Sequence, residues 1–172
     1  KQPPEHANSG QLSLEKGTRL VELARLAINS YLERREIIKP PPNLPEELLR
    51  KSGAFVTLNS TKPVHELRGC IGFPYPEEQL VNAVIKAAIY AATEDPRFEP
   101  VRLNEFRDSV VVELTVLTAP ETLKAGDRKS LPNLIEVGRH GLIIDGKGTS
   151  GLLLPQVATE WKWDASEFLM NC

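Results

Sequence analysis

The chain has 172 residues, a formal net charge of −2 at pH 7, 41% hydrophobic residues and 26% charged residues. These values are typical of a globular protein with one domain or two small lobes that share a core. The net charge is close to zero and only 6% of the residues are aromatic, which argues against binding to nucleic acid. No apolar run approaches the roughly 20 residues that span a bilayer, which argues against a membrane protein.

The N-terminal half predicts three helices and a strand hairpin. Residues 1–12 are polar and are expected to form a flexible tail. An apolar stripe at helical spacing predicts a helix over 18–36, which the prolines at 40–42 end. The segment PEELLRK predicts a short helix with Gly53 as its C-cap. AFVTLNS and HELRGCIGF are expected to pair as an antiparallel hairpin, and residues 76–93 to form a helix with an alanine-rich face.

The C-terminal half predicts one strong strand followed by a glycine-punctuated region. LNEFRDS is a turn or a short helix, and VVVELTVLTAP is dense in the β-branched residues that favour strands. Alternation puts Glu113 on the opposite face from its two immediate neighbours. LIEVGRHGLIIDGKGTSGLLLPQV predicts two or three short strands with turns at 138–141 and 145–148. Asp164 begins a capping box that opens a last helix.

The order of these elements predicts the fold class. Strands and helices do not alternate regularly along the chain, and no internal repeat is present. The sequence therefore predicts an α+β fold, in which helices flank an antiparallel β-sheet, and not a doubly wound parallel sheet.

One hexapeptide identifies a family. LRGCIG at 67–72 resembles the signature of the AMMECR-type domain family, which is named for a human chromosomal-region protein. Four further segments follow in the order and spacing of that family: DPRF at 95–98, VELTVL at 112–117, GRHGL at 138–142 and GLLLPQV at 151–157. The resemblance covers nearly the whole chain from the first helix onward.

The resemblance carries expectations about architecture. It implies a single domain over 13–172, with an antiparallel sheet and two lobes separated by a cleft. The family usually continues past the position of Cys172, and this chain starts without methionine, so we expect it to be trimmed at both ends.

The resemblance implies no established reaction. Some relatives share a chain or a gene neighbourhood with a Memo-type dioxygenase-like protein and a radical-SAM protein, which implies a multi-component modification system. Two roles therefore stay open. The protein is either an enzyme that acts on a small-molecule or peptidic substrate in a cleft at the LRGCIG strand, or a non-catalytic partner or adaptor for Memo-type and radical-SAM proteins.

The candidate catalytic residues are Cys70, Glu113 and His140. Residues two apart in a strand share a face, so Glu66, Arg68 and Cys70 are expected to point the same way, with the guanidinium favouring a thiolate. The alternative for Cys70 is a small side chain packed between two glycines. His140 is either a general base, since imidazole titrates near neutrality, or a turn residue at positive φ. Glu113 is either solvent-facing or a buried, paired carboxylate.

The candidate substrate-binding residues surround Cys70. Gly69 and Gly72 are expected to allow a bulge or the close approach of a helix or ligand. Arg68 either binds an anionic group in a bidentate manner or forms an internal salt bridge to Glu66, Glu113 or Asp95.

The DPRF segment supplies two further candidate binding residues. It brings Asp95 and Arg97 together, either to seal one side of the cleft or as an exposed, purely structural ion pair.

No pattern for a metal or cofactor is present. The sequence has no Cys-x-x-Cys, no His-Glu-x-x-His and no P-loop, and it predicts neither a metal site nor a cofactor. DGKGTSG holds Lys147 and Thr149 without the P-loop spacing and is expected to be a hairpin tip. With only Cys70 and Cys172 as cysteines and no signal peptide, we expect a reduced, cytoplasmic protein.

Overall fold

The computed structural model describes residues 12–146 and 148–172. Within these ranges α-helices span Leu14–Arg34 (α1), Glu46–Leu49 (α2), Leu80–Thr93 (α3), Leu103–Ser109 (α4), Pro155–Glu160 (α5) and Ala165–Asn171 (α6). Strands span Ala54–Thr61 (β1), Val64–Phe73 (β2), Val110–Val116 (β3), Leu142–Gly146 (β4) and Thr149–Leu153 (β5), and a 3-10 helix spans Arg128–Leu134. All strand pairs are antiparallel, which confirms the predicted α+β class.

The described residues group into two compact units that divide after Ala119. The first unit contains a three-stranded sheet in the order β2-β1-β3. Helix α3 packs against β1 and β2, and α1 packs against α3 and β3. The core lies between these helices and one face of the sheet, where Ala54, Val56 and Leu58 of β1 are fully buried. The cleft between two lobes stays a prediction.

Helix α1 forms where the periodicity predicted it, with shifted ends. It begins four residues early because the Ser13 side chain accepts a hydrogen bond from the Lys16 N–H and caps the first turn. It ends at Arg34, ahead of the prolines, because Arg35 adopts a left-handed conformation and its N–H bonds to the Tyr31 carbonyl. Its apolar stripe is buried in the core.

Two other predicted helix boundaries, the start of α3 and the C-cap of α2, are wrong. Helix α3 starts at Leu80 and not at residue 76, because Gln79 forms a β-bridge with Lys51 and the Leu80 N–H bonds to Arg50. Gly53 is not the C-cap of α2, which ends at Leu49. Glycine is needed there for another reason, since a Cβ would meet the Pro74 carbonyl.

The second unit contains the β4-β5 hairpin and the last two helices. Leu142, Ala158 and Phe168 form its small buried core. The capping box at Asp164 is confirmed, with its carboxylate accepting from the N–H groups of Ser166 and Glu167. Helix α5 and the 3-10 helix were not predicted, because both are too short to show a periodicity.

None of the helices in the described parts of the chain is long and apolar enough to cross a membrane.

A close approach of α3 to the sheet gives a testable prediction about stability. Gly69 of β2 faces α3, and a Cβ there would collide with the backbone carbonyl of Ala91. Because a backbone atom cannot move aside as a side chain can, Gly69→Ala is expected to lower the free energy of unfolding by about 2 kcal/mol or more. Urea unfolding measures this change.

Gly17 provides the matched control. It lies within α1 and a Cβ there would meet no atom within 4 Å. Gly17→Ala is expected to raise the free energy of unfolding by about 0.5 kcal/mol, because alanine loses less backbone entropy in a helix. A Gly69→Ala protein as stable as the parent would contradict the packing described for β2 and α3.

Candidate functional site

The candidate site lies on the sheet face opposite to the core. Register places Cys70 of β2 opposite Thr57 of β1, and Thr57 opposite Glu113 of β3. Residues that oppose each other share a face, and the neighbours of Thr57 along β1, Val56 and Leu58, point into the core. These three outward residues form a line across the sheet, here called the Cys70 row.

The thiol of Cys70 is half-buried and has a polar neighbour. Its Sγ lies 3.2 Å from Thr57 Oγ1, at hydrogen-bond distance. Cys70 is not one of the buried core residues, and the choice between a nucleophile and a small side chain packed between two glycines stays a prediction. The residue of this segment that packs against a helix is Gly69, which pairs with the buried Leu58. Gly72 also serves packing, because the ring of Phe55 lies where its side chain would be.

A buried carboxylate holds the backbone of Cys70. Its N–H donates to Asp95 Oδ2 at 2.8 Å, and its carbonyl accepts from Arg97 Nη2 at 3.3 Å. Arg97 also donates to both oxygens of Asp95, from Nε at 2.9 Å and from Nη2 at 2.7 Å. Because β2 is an edge strand, this Asp95–Arg97 clamp satisfies backbone groups that no strand pairs.

The clamp has a clear electrostatic signature. The pKa of Asp95 is lowered to about 2, mainly by the hydrogen bonds from the Arg97 side chain and also by the Cys70 N–H, against the opposing effect of burial. The same carboxylate raises the pKa of Arg97. Sequence correctly put the two residues together, and the pair is exposed on one side only, since the Asp95 side chain is 2% exposed and that of Arg97 is 54% exposed.

Arg68 is committed to an internal ion pair. Its Nε and Nη2 bind the two carboxylate oxygens of Glu105 at 2.5 and 3.2 Å, and its Nη1 donates to the Glu99 carbonyl at 2.8 Å. Burial is the largest single influence on the pKa of Glu105 and raises it, but the hydrogen bonds from Arg68 and the Arg102 N–H, together with the charges of both arginines, outweigh burial and lower the pKa. The predicted partners Glu66, Glu113 and Asp95 are wrong. An anionic ligand at Arg68 would have to displace Glu105.

Glu66 does not share a face with Cys70, which corrects the prediction from alternation. The register of β2 against β1 shifts twice, and Arg68 and His65 are the unpaired extra residues, the latter with φ of 62°. Each β-bulge reverses the alternation of faces. Glu66 therefore opposes Ser60 and lies on the face opposite to the Cys70 row.

Glu113 is solvent-facing, one of its two predicted alternatives. It is exposed, and its Oε1 accepts from Asn59 Nδ2 at 2.9 Å. Neighbouring strands lie about 4.8 Å apart, so Glu113 is roughly 10 Å from Cys70 along the row. Direct proton transfer needs about 3 Å. Glu113 can bind a polar or cationic part of a substrate, but it cannot take a proton from Cys70 directly.

His140 belongs to the second unit and is exposed. Its Nδ1 accepts a hydrogen bond from the Glu136 N–H at 3.1 Å, which closes its own loop. The positive φ of this turn belongs to Gly138, at 85°, so the interpretation of His140 as a positive-φ residue is wrong. Its role as a base for Cys70 stays a prediction.

The β4-β5 hairpin tip lies in the glycine-rich DGKGTSG segment, which holds Lys147 and Thr149. Thr149 donates to the Gly146 carbonyl at 3.1 Å, beside a shallow open depression, and Lys147 lies outside the described residues. Across 12–146 and 148–172, no three His, Cys, Asp or Glu side chains are grouped as metal ligands would be.

Sequence reasoning missed Thr57, Asn59 and Glu105. Thr57 and Asn59 lie in AFVTLNS, and alternation alone puts both outward. Only the register of the hairpin, however, pairs Thr57 with Cys70. No local signal connects Glu105 with Arg68, which are 37 residues apart.

Comparisons with known proteins agree on one family. Residues 21–172 match the family model described as AMMECR1. The chain is 54% identical over 157 residues to Protein PF1979 of Pyrococcus furiosus, covering 90% of this chain and 74% of that protein. It is 48% identical over 160 residues to a protein of Methanothermobacter thermautotrophicus, covering 93% and 81%. The crystal structure of uncharacterized protein PH0010 from Pyrococcus horikoshii is similar with a TM-score of 0.87 at 52% identity, covering 93% of this chain and 79% of that one.

The clamp predicts an acid-dependent loss of stability. Because Asp95 has a pKa of about 2 in the folded protein and 3.8 ordinarily, its charge stabilises the fold above about pH 4. That contribution, about 2 kcal/mol, is lost as the pH falls towards 2. Asp95→Asn is expected to lower the free energy of unfolding at pH 7 by about this amount and to remove this part of the pH dependence in urea titrations.

The exposed Asp108 is the control, since Asp108→Asn removes a carboxylate outside the clamp. It should leave both the stability at pH 7 and its decline in acid nearly unchanged. An Asp95→Asn protein with the same acid profile as the parent would show that the clamp does not stabilise the fold.

Proposed function

The chain belongs to the AMMECR1 family, and from this premise we propose that it is an enzyme with the Cys70 thiol as its nucleophile. The observation that carries the proposal is the placement of Cys70. The side chain lies on the sheet face opposite to the core, next to a hydroxyl, while its backbone is fixed on both sides of the residue. A fixed nucleophile loses little entropy when it reacts.

The chemistry follows from the neighbours of the thiol. The Thr57 hydroxyl can donate a hydrogen bond to a Cys70 thiolate and stabilise its charge. The thiol proton passes to solvent, and the thiolate adds to the carbonyl carbon of a small or peptidic substrate as the C=O π electron pair moves onto oxygen. When that pair returns, the bond from the carbon to its leaving group breaks, and the leaving group takes a proton from water. Glu113 and Asn59, about 10 Å along the row, are placed to bind a polar part of the same substrate. The thiol has to stay reduced, so we place this reaction in the cytoplasm.

A second role is favoured by a different observation. The charged residues of the two motifs, Arg68, Asp95 and Arg97, are all engaged in contacts within the protein. If the Cys70 thiol is also unreactive, the LRGCIG strand is structural. The protein is then a non-catalytic partner or adaptor of Memo-type and radical-SAM proteins. The reactivity of Cys70 separates the two roles.

We therefore expect Cys70 to be alkylated in the native protein. The experiment measures the rate of modification by iodoacetamide against pH, by mass spectrometry, in a Cys172→Ser background. Thr57→Val is expected to slow the reaction about fivefold, because the thiolate loses a hydrogen-bond donor. Thr115→Val, the same change elsewhere on the sheet, should leave the rate unchanged.

One outcome decides against the enzyme, and a second decides against the part of Thr57 in its mechanism. A thiol that reacts only when the protein unfolds would reject Cys70 as a nucleophile and leave the adaptor role. A thiol that reacts equally in the Thr57→Val protein would remove the hydroxyl from the mechanism.

A further inference from the structure

The two edges of the three-stranded sheet are treated differently. Strand β2 has two bulges, and the Asp95–Arg97 clamp covers the outward backbone of Cys70. Bulges and covering loops are common devices that stop an edge strand from pairing with another chain. Strand β3, at the other edge, pairs with β1 in continuous register, and its sequence VVVELTV contains neither proline nor lysine.

The hydrogen-bond pattern shows which residues of β3 direct their backbone N–H and C=O groups away from β1. The N–H of Leu117 donates to the Gly53 carbonyl at 2.9 Å, so this pair is hydrogen-bonded across to β1. Such hydrogen-bonded pairs alternate along an antiparallel ladder, so every second residue before Leu117 also directs its backbone N–H and C=O toward β1. The residues between them direct their backbone N–H and C=O away from β1. The hydrogen bond from Arg25 to the carbonyl of Val110, at 3.1 Å, agrees with this alternation, because that carbonyl points away from β1.

Three residues of β3 therefore have backbone N–H and C=O groups that no described strand pairs. Val112, Leu114 and Val116 direct both N–H and C=O away from β1, and these groups bond to no residue within 12–146 or 148–172. The side chains of the same residues point toward the core face, while Glu113 lies exposed on the opposite face. The edge thus offers three donors and three acceptors at strand spacing, the pattern that an added strand requires.

We propose that the β3 edge binds an extended segment of a partner protein, in which apolar residues alternate with polar ones and a lysine or arginine lies opposite Glu113. Apolar side chains would sit beside Val112 and Leu114, on the core face. The cation would meet Glu113, whose Oε1 is held by Asn59 and whose Oε2 has no partner among the described residues. This surface shares Glu113 with the substrate site proposed beside Cys70, but it does not rest on that chemistry, because the added strand would bind through the backbone of β3.

Charge favours such a partner over a second copy of this chain. If two β3 strands paired about Glu113, the two carboxylates would lie directly opposite each other, which is destabilising. If they paired about Leu114, Glu113 would oppose Thr115 and neither carboxylate would gain a cation.

The test uses two labelled seven-residue peptides. Both alternate valine with threonine, and one carries lysine at its centre while the other carries glutamate. Fluorescence anisotropy is expected to show the lysine peptide binding roughly fivefold tighter, and Glu113→Lys should reverse the preference. In the bound protein, hydrogen exchange should slow at the amides of Val112, Leu114 and Val116.

Glu77→Lys is the matched control, because Glu77 is exposed and follows β2 at the other edge of the sheet. It changes the net charge equally and should keep the preference for lysine. Equal binding of both peptides in all variants, or no binding at millimolar concentration, would overturn the proposal. So would outward amides that already exchange slowly in the free protein, with light scattering showing whether a second copy covers them.

Discussion

The hydrogen bond from the Cys70 N–H to the buried carboxylate of Asp95 is the contact on which the first unit depends most. Asp95 follows α3 directly, and Cys70 lies in the middle of β2, so this bond fixes the helix end to the strand that the helix covers. Arg97 makes the burial of the charge tolerable by donating to both carboxylate oxygens. Without the clamp, β2 would be an edge strand with unpaired backbone groups at Cys70.

The contacts of LRGCIG explain its residues one at a time. Arg68 is the extra residue of a bulge and connects β2 to α4 through Glu105. Gly69 admits the backbone of α3, and Gly72 admits the ring of Phe55. Packing and charge therefore account for the neighbours of Cys70. They do not require sulfur at Cys70 itself, since its side chain lies outside the core, and this is the physical ground for assigning chemistry to it.

Sequence predicted what depends on local periodicity and failed where distant segments meet. Alternation placed Glu113 correctly, because β3 pairs with β1 without a bulge. The same rule failed for Glu66, because the two bulges of β2 leave no mark in the sequence. The Asp164 capping box is local and was predicted. The pairing of Arg68 with Glu105, and of Thr57 with Cys70, depends on the tertiary arrangement, which periodicity does not encode.

The contact between Gly69 and Ala91 has a mechanical consequence. Most helices rest on sheets through side chains, which form a compliant layer that can absorb small shifts by changing rotamer. At Gly69 that layer is missing, and the strand meets the carbonyl of the helix turn directly. The next residue is Cys70, so a displacement of its backbone is transmitted to α3 with little loss. The contact at Gly69 therefore ties the backbone beside the proposed nucleophile rigidly to α3.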